Sequence, residues 1–147
     1  MRLLREHFFI AGFVGCLVWL ISRDIYCVVS ALAAGWCIDV DHIIDLVLRS
    51  VKSKRVDLRL IKTGEYSKKN NNKIIVPFHV WEITIILALL GYFYPNKRAM
   101  IHGVAIAHGL HLIKDQYSYR ARFFGYLFVS RLSTKFSKKG FCRHGIN

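Results

Sequence analysis

Four long apolar runs, at about residues 3–22, 25–48, 74–94 and 99–117, dominate the chain, and each carries histidine, aspartate or glutamate near one end. Runs of roughly 20 residues are long enough, as helices, to cross ~30 Å of hydrocarbon. The 147-residue sequence is 54% hydrophobic with only 2 prolines, more apolar material than a soluble core of that size uses. The expectation is one all-α domain over residues 1–147, a polytopic membrane protein. It would be a four-helix transmembrane bundle followed by a C-terminal amphipathic interfacial helix.

The rest of the chain is basic. Residues 49–73 form an expected surface loop ending in Lys68-Lys69-Asn70-Asn71-Asn72-Lys73, and residues 118–147 form a basic tail. Within the tail, Phe124, Leu127, Phe128, Leu132 and Phe136 recur at helical spacing among Arg122, Arg131 and Lys135, as in a helix lying on a membrane surface. If the four spans alternate, 19 of the 22 Lys/Arg fall on one side. That asymmetry predicts an inner or plasma membrane protein with both termini and the 49–73 loop cytoplasmic. The net charge of +13 is then explained by topology and by attraction to anionic lipid. Membrane lipids are the expected partners, with Arg49, Lys52 and Lys54 placed to draw in an anionic head group, and nucleic acid is not expected.

Cys16, Cys27, Cys37 and Cys142 contain no CxxC pair, and three of them sit in apolar runs, which gives no support to a disulfide framework or a thiolate zinc site. Arg2 and Arg5 ahead of an apolar run, with Ala31-Leu32-Ala33 downstream, invite a secretory-signal reading. The apolar run instead passes a single Arg23-Asp24 turn into a second apolar segment, so the first helix is expected to stay in the product.

The ionisable residues inside the apolar runs carry the chemistry. They are His7; Asp39, Asp41, His42 and Asp45; His79 and Glu82; and His108, His111 and Asp115. Such groups are costly to bury and match the donor set of a divalent metal. The spacing puts His79 and Glu82 on one helical face as an i,i+3 pair, and likewise His111 and Asp115 as an i,i+4 pair. Asp39 points well away from Asp41 on a regular helix, so both converge only if the helix loosens there. In the alternating topology all four helices deliver their donors to one level near the cytoplasmic boundary, which predicts a shared site. The competing reading is a set of interhelical hydrogen-bonded pairs. His102, opposite His111, reads as structural, and Ala31/Gly35 and Gly103/Ala107 read as close-packing positions.

This ordered set of residues resembles a known family. An early histidine (His7), the acidic cluster Asp39-Val40-Asp41-His42 at the end of an apolar segment, His79 at the start of the next, and the His111 to Asp115 HxxxD element are similar to those of the YdjM-like inner-membrane metal-dependent hydrolases. The likeness covers about residues 3–117. Ile38 stands where that family usually has proline, and its HRGxTHS stretch is reduced here to Pro77-Phe78-His79-Val80-Trp81-Glu82.

The residues and the resemblance together imply a metal-dependent hydrolase with a cytoplasm-facing site, acting on a phosphoester or another lipid-derived bond. The expected metal ligands are His7, Asp39, Asp41, His42, His79, His111 and Asp115. Asp45 and Glu82 are the expected general bases, and zinc is the favoured ion over manganese or iron. Eight or so donors could hold two ions. A transporter is disfavoured because residues 8–21, 25–38 and 83–94 contain no carboxylate, imidazole or amine. The alternative is a non-catalytic membrane adaptor or scaffold clamped by its metal.

Overall fold

The structure is a computed structural model. It describes residues 2–53, 76–118, 121–122 and 124–137, and within these only the backbone of residues 2–5, 42–43, 45–46 and 48–53. Its helices are α1 (Arg2–Ser22), α2 (Tyr26–Ser53), α3 (Trp81–Phe93), α4 (Arg98–Ser118) and α5 (Phe128–Ser133), with a 3-10 turn at Pro95–Lys97 ahead of α4.

The described residues are mostly helical, as expected, but the transmembrane expectation fails. No helix among the described residues is long and apolar enough to cross a membrane. The physical reasons are local. In α1 the uncharged run from Phe8 to Ser22 is 15 residues. The 28-residue α2 is interrupted from Asp39 onward by its acidic cluster. The apolar stretch at 74–94 becomes a 13-residue α3, about 20 Å long at ~1.5 Å per residue. It starts late because Pro77 disfavours helix at Val76, and residues 76–80 form a turn instead. In α4, His102, His108, His111, Lys114 and Asp115 break up the apolar face. The membrane location, the two cytoplasmic termini and the charge-derived orientation rest on those spans and fall with them.

The high apolar content is explained by its placement, because many large apolar side chains point outward. Phe9 is 72% exposed, Ile21 87% and Phe93 71%. Hydropathy counts residues without regard to the side they face.

α1 and α2 form a hairpin. Arg23 adopts a left-handed conformation (φ 58°) at the turn, and Asp24 Oδ1 accepts the Tyr26 N–H at 2.9 Å to satisfy one orphan donor of α2. Small residues let the two helices approach closely: a Cβ on Gly15 would meet Val28 Cα at 2.8 Å, and one on Gly35 would meet the Ala11 Cβ at 2.7 Å. Ala11, Val14, Ala31 and Ala107 form a buried cluster where α4 joins this hairpin, and Gly103 lies against Val18. The close-packing role expected for Ala31/Gly35 and Gly103/Ala107 is what the structure shows. α3 and α4 make the second hairpin, joined through Pro95–Lys97. His102 is structural there, with Nε2 at 3.2 Å from the Ala88 carbonyl. α4 packs on α1, α2 and α3 and is the common wall of the molecule.

The tail corrects another expectation. The interfacial helix shrinks to the 6-residue α5, because left-handed Lys135 (φ 51°) and Phe136 (φ 57°) end it and the Phe136 N–H turns back to the Arg131 carbonyl at 2.7 Å. Arg131, expected on a polar outer face, is buried, as is Tyr126. The basic loop is also shorter than predicted, since α2 runs on to Ser53. The remainder of that loop, with Lys54, and the tail beyond Ser137 lie outside the described residues.

Candidate metal centre

Four separate chain segments deliver side chains to one buried point. His7 comes from α1, Asp39 and Asp41 from α2, His79 from the 76–80 turn, and His111 and Asp115 from α4. All but Asp39 are buried: His7 is 4% exposed, Asp41 0%, His79 1%, His111 2% and Asp115 1%. The Asp39 side chain keeps 17% exposure and marks the most open side of the cluster.

The central donors are close together. His79 Nε2 lies 3.3 Å from His111 Nε2 and 3.1 Å from Asp115 Oδ2, and His111 Nε2 lies 3.5 Å from the same oxygen. Asp39 Oδ1 approaches at 3.6 Å from His111 Nε2 and 4.0 Å from His79 Nε2. Bonds of ~2.0–2.1 Å to a tetrahedral zinc put neighbouring donor atoms about 3.3 Å apart. The three closest separations bracket that value, so His79, His111 and Asp115 form a face of such a polyhedron, with Asp39 next to it.

The remaining contacts hold His79 in place. Its Nδ1 lies 2.9 Å from Asp41 Oδ2, and the same oxygen accepts the Phe78 N–H at 3.0 Å. The Phe78 carbonyl accepts from His108 Nε2 at 3.0 Å, which leaves His108 Nδ1 to accept the Thr84 hydroxyl at 2.7 Å. The Phe78 backbone is thus held at both its N–H and its carbonyl, and His79 Nε2 is aimed at the cluster. A carboxylate on the far nitrogen of a ligating histidine fixes its tautomer and raises its basicity, which is the position Asp41 occupies.

Asp39 and Asp41 both reach the His79 ring, at Nε2 and Nδ1, although α2 stays helical through both. The expected loosening of the helix is unnecessary, because the imidazole enters between the two carboxylates.

The imidazoles and carboxylates of the cluster shift one another's pKa values. Burial lowers the pKa of His79, but hydrogen bonds and charge from Asp115 and Asp41 outweigh it and raise the pKa to about 9. Burial would raise that of Asp115, and the imidazoles of His111, His7 and His79 instead hold it well below the usual carboxylate range. Burial lowers the pKa of His111, more than Asp115 restores it, with His7 and His79 adding to the lowering. A protonated His79 between two carboxylates therefore holds one positive charge where a cation would hold two.

Several buried polar atoms have no hydrogen-bond partner: His7 Nδ1 and Nε2, His111 Nδ1, Asp41 Oδ1 and Asp115 Oδ1. His7 Nε2 is 3.2 Å from Asp115 Oδ1, yet neither His7 nitrogen meets hydrogen-bond geometry. Orphaned donor atoms this deep are costly unless something else satisfies them.

Of the predicted ligands, the structure brings together His7, Asp39, His79, His111 and Asp115, and it places Asp41 behind His79. The side chains of His42 and Asp45 lie outside the described residues. Glu82, predicted as a base, sits in the first turn of α3 and accepts the Phe128 N–H through Oε1 at 2.8 Å. That contact ties the tail to α3.

Sequence reading missed the support behind His79. Tyr126 stacks on the His79 ring at 6.2 Å, and the Arg131 guanidinium lies over Tyr126 at 5.2 Å. Arg131 also donates to the Gly125 and Val76 carbonyls, both at 2.8 Å, and so joins the tail to the turn that carries His79. The i,i+3 relation of His108 to His111 was visible in the sequence. Nothing in the amphipathic tail pattern marked Arg131 as buried.

Comparison of the chain with family models, with curated proteins and with solved structures found no match.

Proposed function

We propose that the protein is a metal-dependent hydrolase whose divalent ion, favoured as zinc, is held by His79, His111, Asp115 and Asp39. The observation that carries this reading is the 3.1–3.5 Å spacing of His79 Nε2, His111 Nε2 and Asp115 Oδ2 in a buried, thiolate-free pocket. Donor sets of histidine and carboxylate are those of catalytic zinc centres, whereas structural ones rely on cysteine. A bound ion supplies Lewis-acid activation of water and of the scissile group.

The chain's own residues provide the rest. Asp41 holds the His79 Nδ1 proton, so that Nε2 offers its lone pair. The Phe78 backbone, held by Asp41 and His108, fixes the ring's direction. Asp39, the most exposed member, lies where water and substrate would enter. The ordered His7, Asp39, His79 and His111-to-Asp115 elements that resemble the YdjM-like hydrolases support the same reaction class, and a phosphoester is the substrate class favoured.

The near-complete burial of the cluster favours a second reading, a non-catalytic clamp, because structural sites are closed and catalytic ones keep an open position. Metal-loaded protein assayed against phosphomonoesters, phosphodiesters and glycerolipids separates the two. Chelator-sensitive turnover that falls at least about 100-fold in His79→Ala supports the hydrolase. Metal-bound, folded protein with no turnover across the panel, but with a melting temperature raised by the ion, supports the clamp.

A further inference from the structure

We propose that the cluster accommodates two divalent cations, with His7 Nε2 anchoring a second ion that shares the Asp115 carboxylate with the first. The inference rests on reading the cluster as a metal centre, and it goes beyond that reading in the number of ions and in the role of His7.

Each carboxylate presents its two oxygens to different histidines. Asp115 Oδ2 faces His79 Nε2 at 3.1 Å and His111 Nε2 at 3.5 Å, whereas Asp115 Oδ1 faces His7 Nε2 at 3.2 Å. Asp39 also divides its oxygens, with Oδ1 facing His111 and His79 at 3.6 and 4.0 Å, but its Oδ2 faces the other His7 nitrogen, Nδ1, at 3.9 Å. Carboxylates that divide their oxygens in this way can bridge two ions ~3.5–4 Å apart.

His7 supplies the independent observation. It is 4% exposed, yet neither ring nitrogen has a hydrogen-bond partner, and Asp115 Oδ1, the oxygen turned toward it, has none either. A single ion at His79, His111 and Asp115 Oδ2 leaves these two groups with only their poorly aligned 3.2 Å contact to each other. Donor atoms from His7, Asp39 and His111 also lie within 4.8 Å of one another, a second grouping beside that of His79, His111 and Asp115. Asp39, Asp41 and Asp115 offer three carboxylates, so one divalent ion leaves an excess of one negative charge.

The test is a zinc titration of metal-stripped full-length protein by calorimetry, with zinc-edge X-ray absorption on the loaded sample. Two equivalents are expected, with a zinc–zinc vector at ~3.5–4 Å. His7→Phe keeps a ring of similar volume in the cavity and removes its nitrogens, and circular dichroism checks its fold. It should bind one equivalent and lose the vector. His7→Gln, which keeps a polar donor and acceptor, is expected to weaken the second binding event at least tenfold while leaving the first intact. Wild-type protein that binds one equivalent without the vector would overturn the second pocket and leave the first standing. Wild-type protein that binds none would overturn both, and two equivalents with an intact vector in His7→Phe would remove His7 from the site.

Discussion

Asp41 decides the orientation of the centre at the level of single residues. It is fully buried and holds both the Phe78 N–H and the His79 Nδ1 through one oxygen, so it acts on the metal through His79. Asp41→Asn retains an acceptor for Phe78 but loses the charge that fixes the imidazole. Zinc affinity should therefore fall about 10- to 100-fold, as for other partners of ligating histidines. A competition titration against a chromophoric chelator measures this. Unchanged affinity would mean that Asp41 does not orient the ligand. The sequence exposed these donor residues clearly, because a carboxylate or imidazole in an apolar segment is conspicuous. It did not separate ligand from supporter. Asp39 and Asp41 look alike in the sequence, and only the insertion of His79 between them gives them different roles.

Among the elements, the α1–α2 hairpin determines whether His7 can reach the carboxylates of α2 and α4. Gly35 lies against Ala11, one turn along from His7. Gly35→Val should cost roughly 1–3 kcal/mol through overpacking, seen as a lower chemical-denaturation midpoint. Because it pushes α1 away, it should weaken metal binding as well. The docked tail is the other support. Replacing buried Arg131 with Met removes its donations to the Val76 and Gly125 carbonyls and should destabilise by about 1.5–3 kcal/mol per charged hydrogen bond lost, in the same assay. A surface role for α5 would instead leave stability within ~0.5 kcal/mol.

The helices at 2–22 and 98–118, and the helix beginning at 26 as far as residue 48, were legible because long apolar periodicity outlasts its interruptions; the last turns of α2, to Ser53, fall where the sequence predicts loop. The start of α3 and the end of the tail helix were not legible. The first depends on Pro77 and on a turn held by Asp41 and His108, and the second on left-handed residues at 135 and 136. Both are set by contacts distant in sequence or by backbone conformations that composition does not record.

For the molecule as a whole, hydropathy misled because apolar side chains cover the outside of α1 and α3 as well as their packed faces, while most of the charged cluster is buried. That inversion also shapes the pH response. His79 of the ion-free protein titrates near 9, above its unfolded value of 6.5, so its contribution to stability is complete below pH 6.5 and is lost as pH rises through about 9. The pKa values of His108 and His111 are lowered, with burial the leading cause. Their contribution is present above pH 6.5 and is lost as pH falls below it. Ion-free protein is therefore expected to be most stable between about pH 6.5 and 7.5, with thermal unfolding across pH 5 to 10 as the check. Zinc must displace the His79 Nε2 proton, so its apparent affinity should rise roughly tenfold per pH unit from 7 to 9. A flat affinity over that range would mean that no proton is displaced.

The most direct measurement of the central claim is the metal content of the full-length protein purified without added metal, beside a His79→Ala/His111→Ala variant of matched circular dichroism, after both are equilibrated with zinc and desalted. Wild-type protein is expected to retain at least one zinc per chain, and the double variant less than a tenth of that. Folded wild-type protein that retains no zinc, or a double variant that retains as much as wild type, would show that the imidazoles and carboxylates form a buried ion-pair network and not a metal centre.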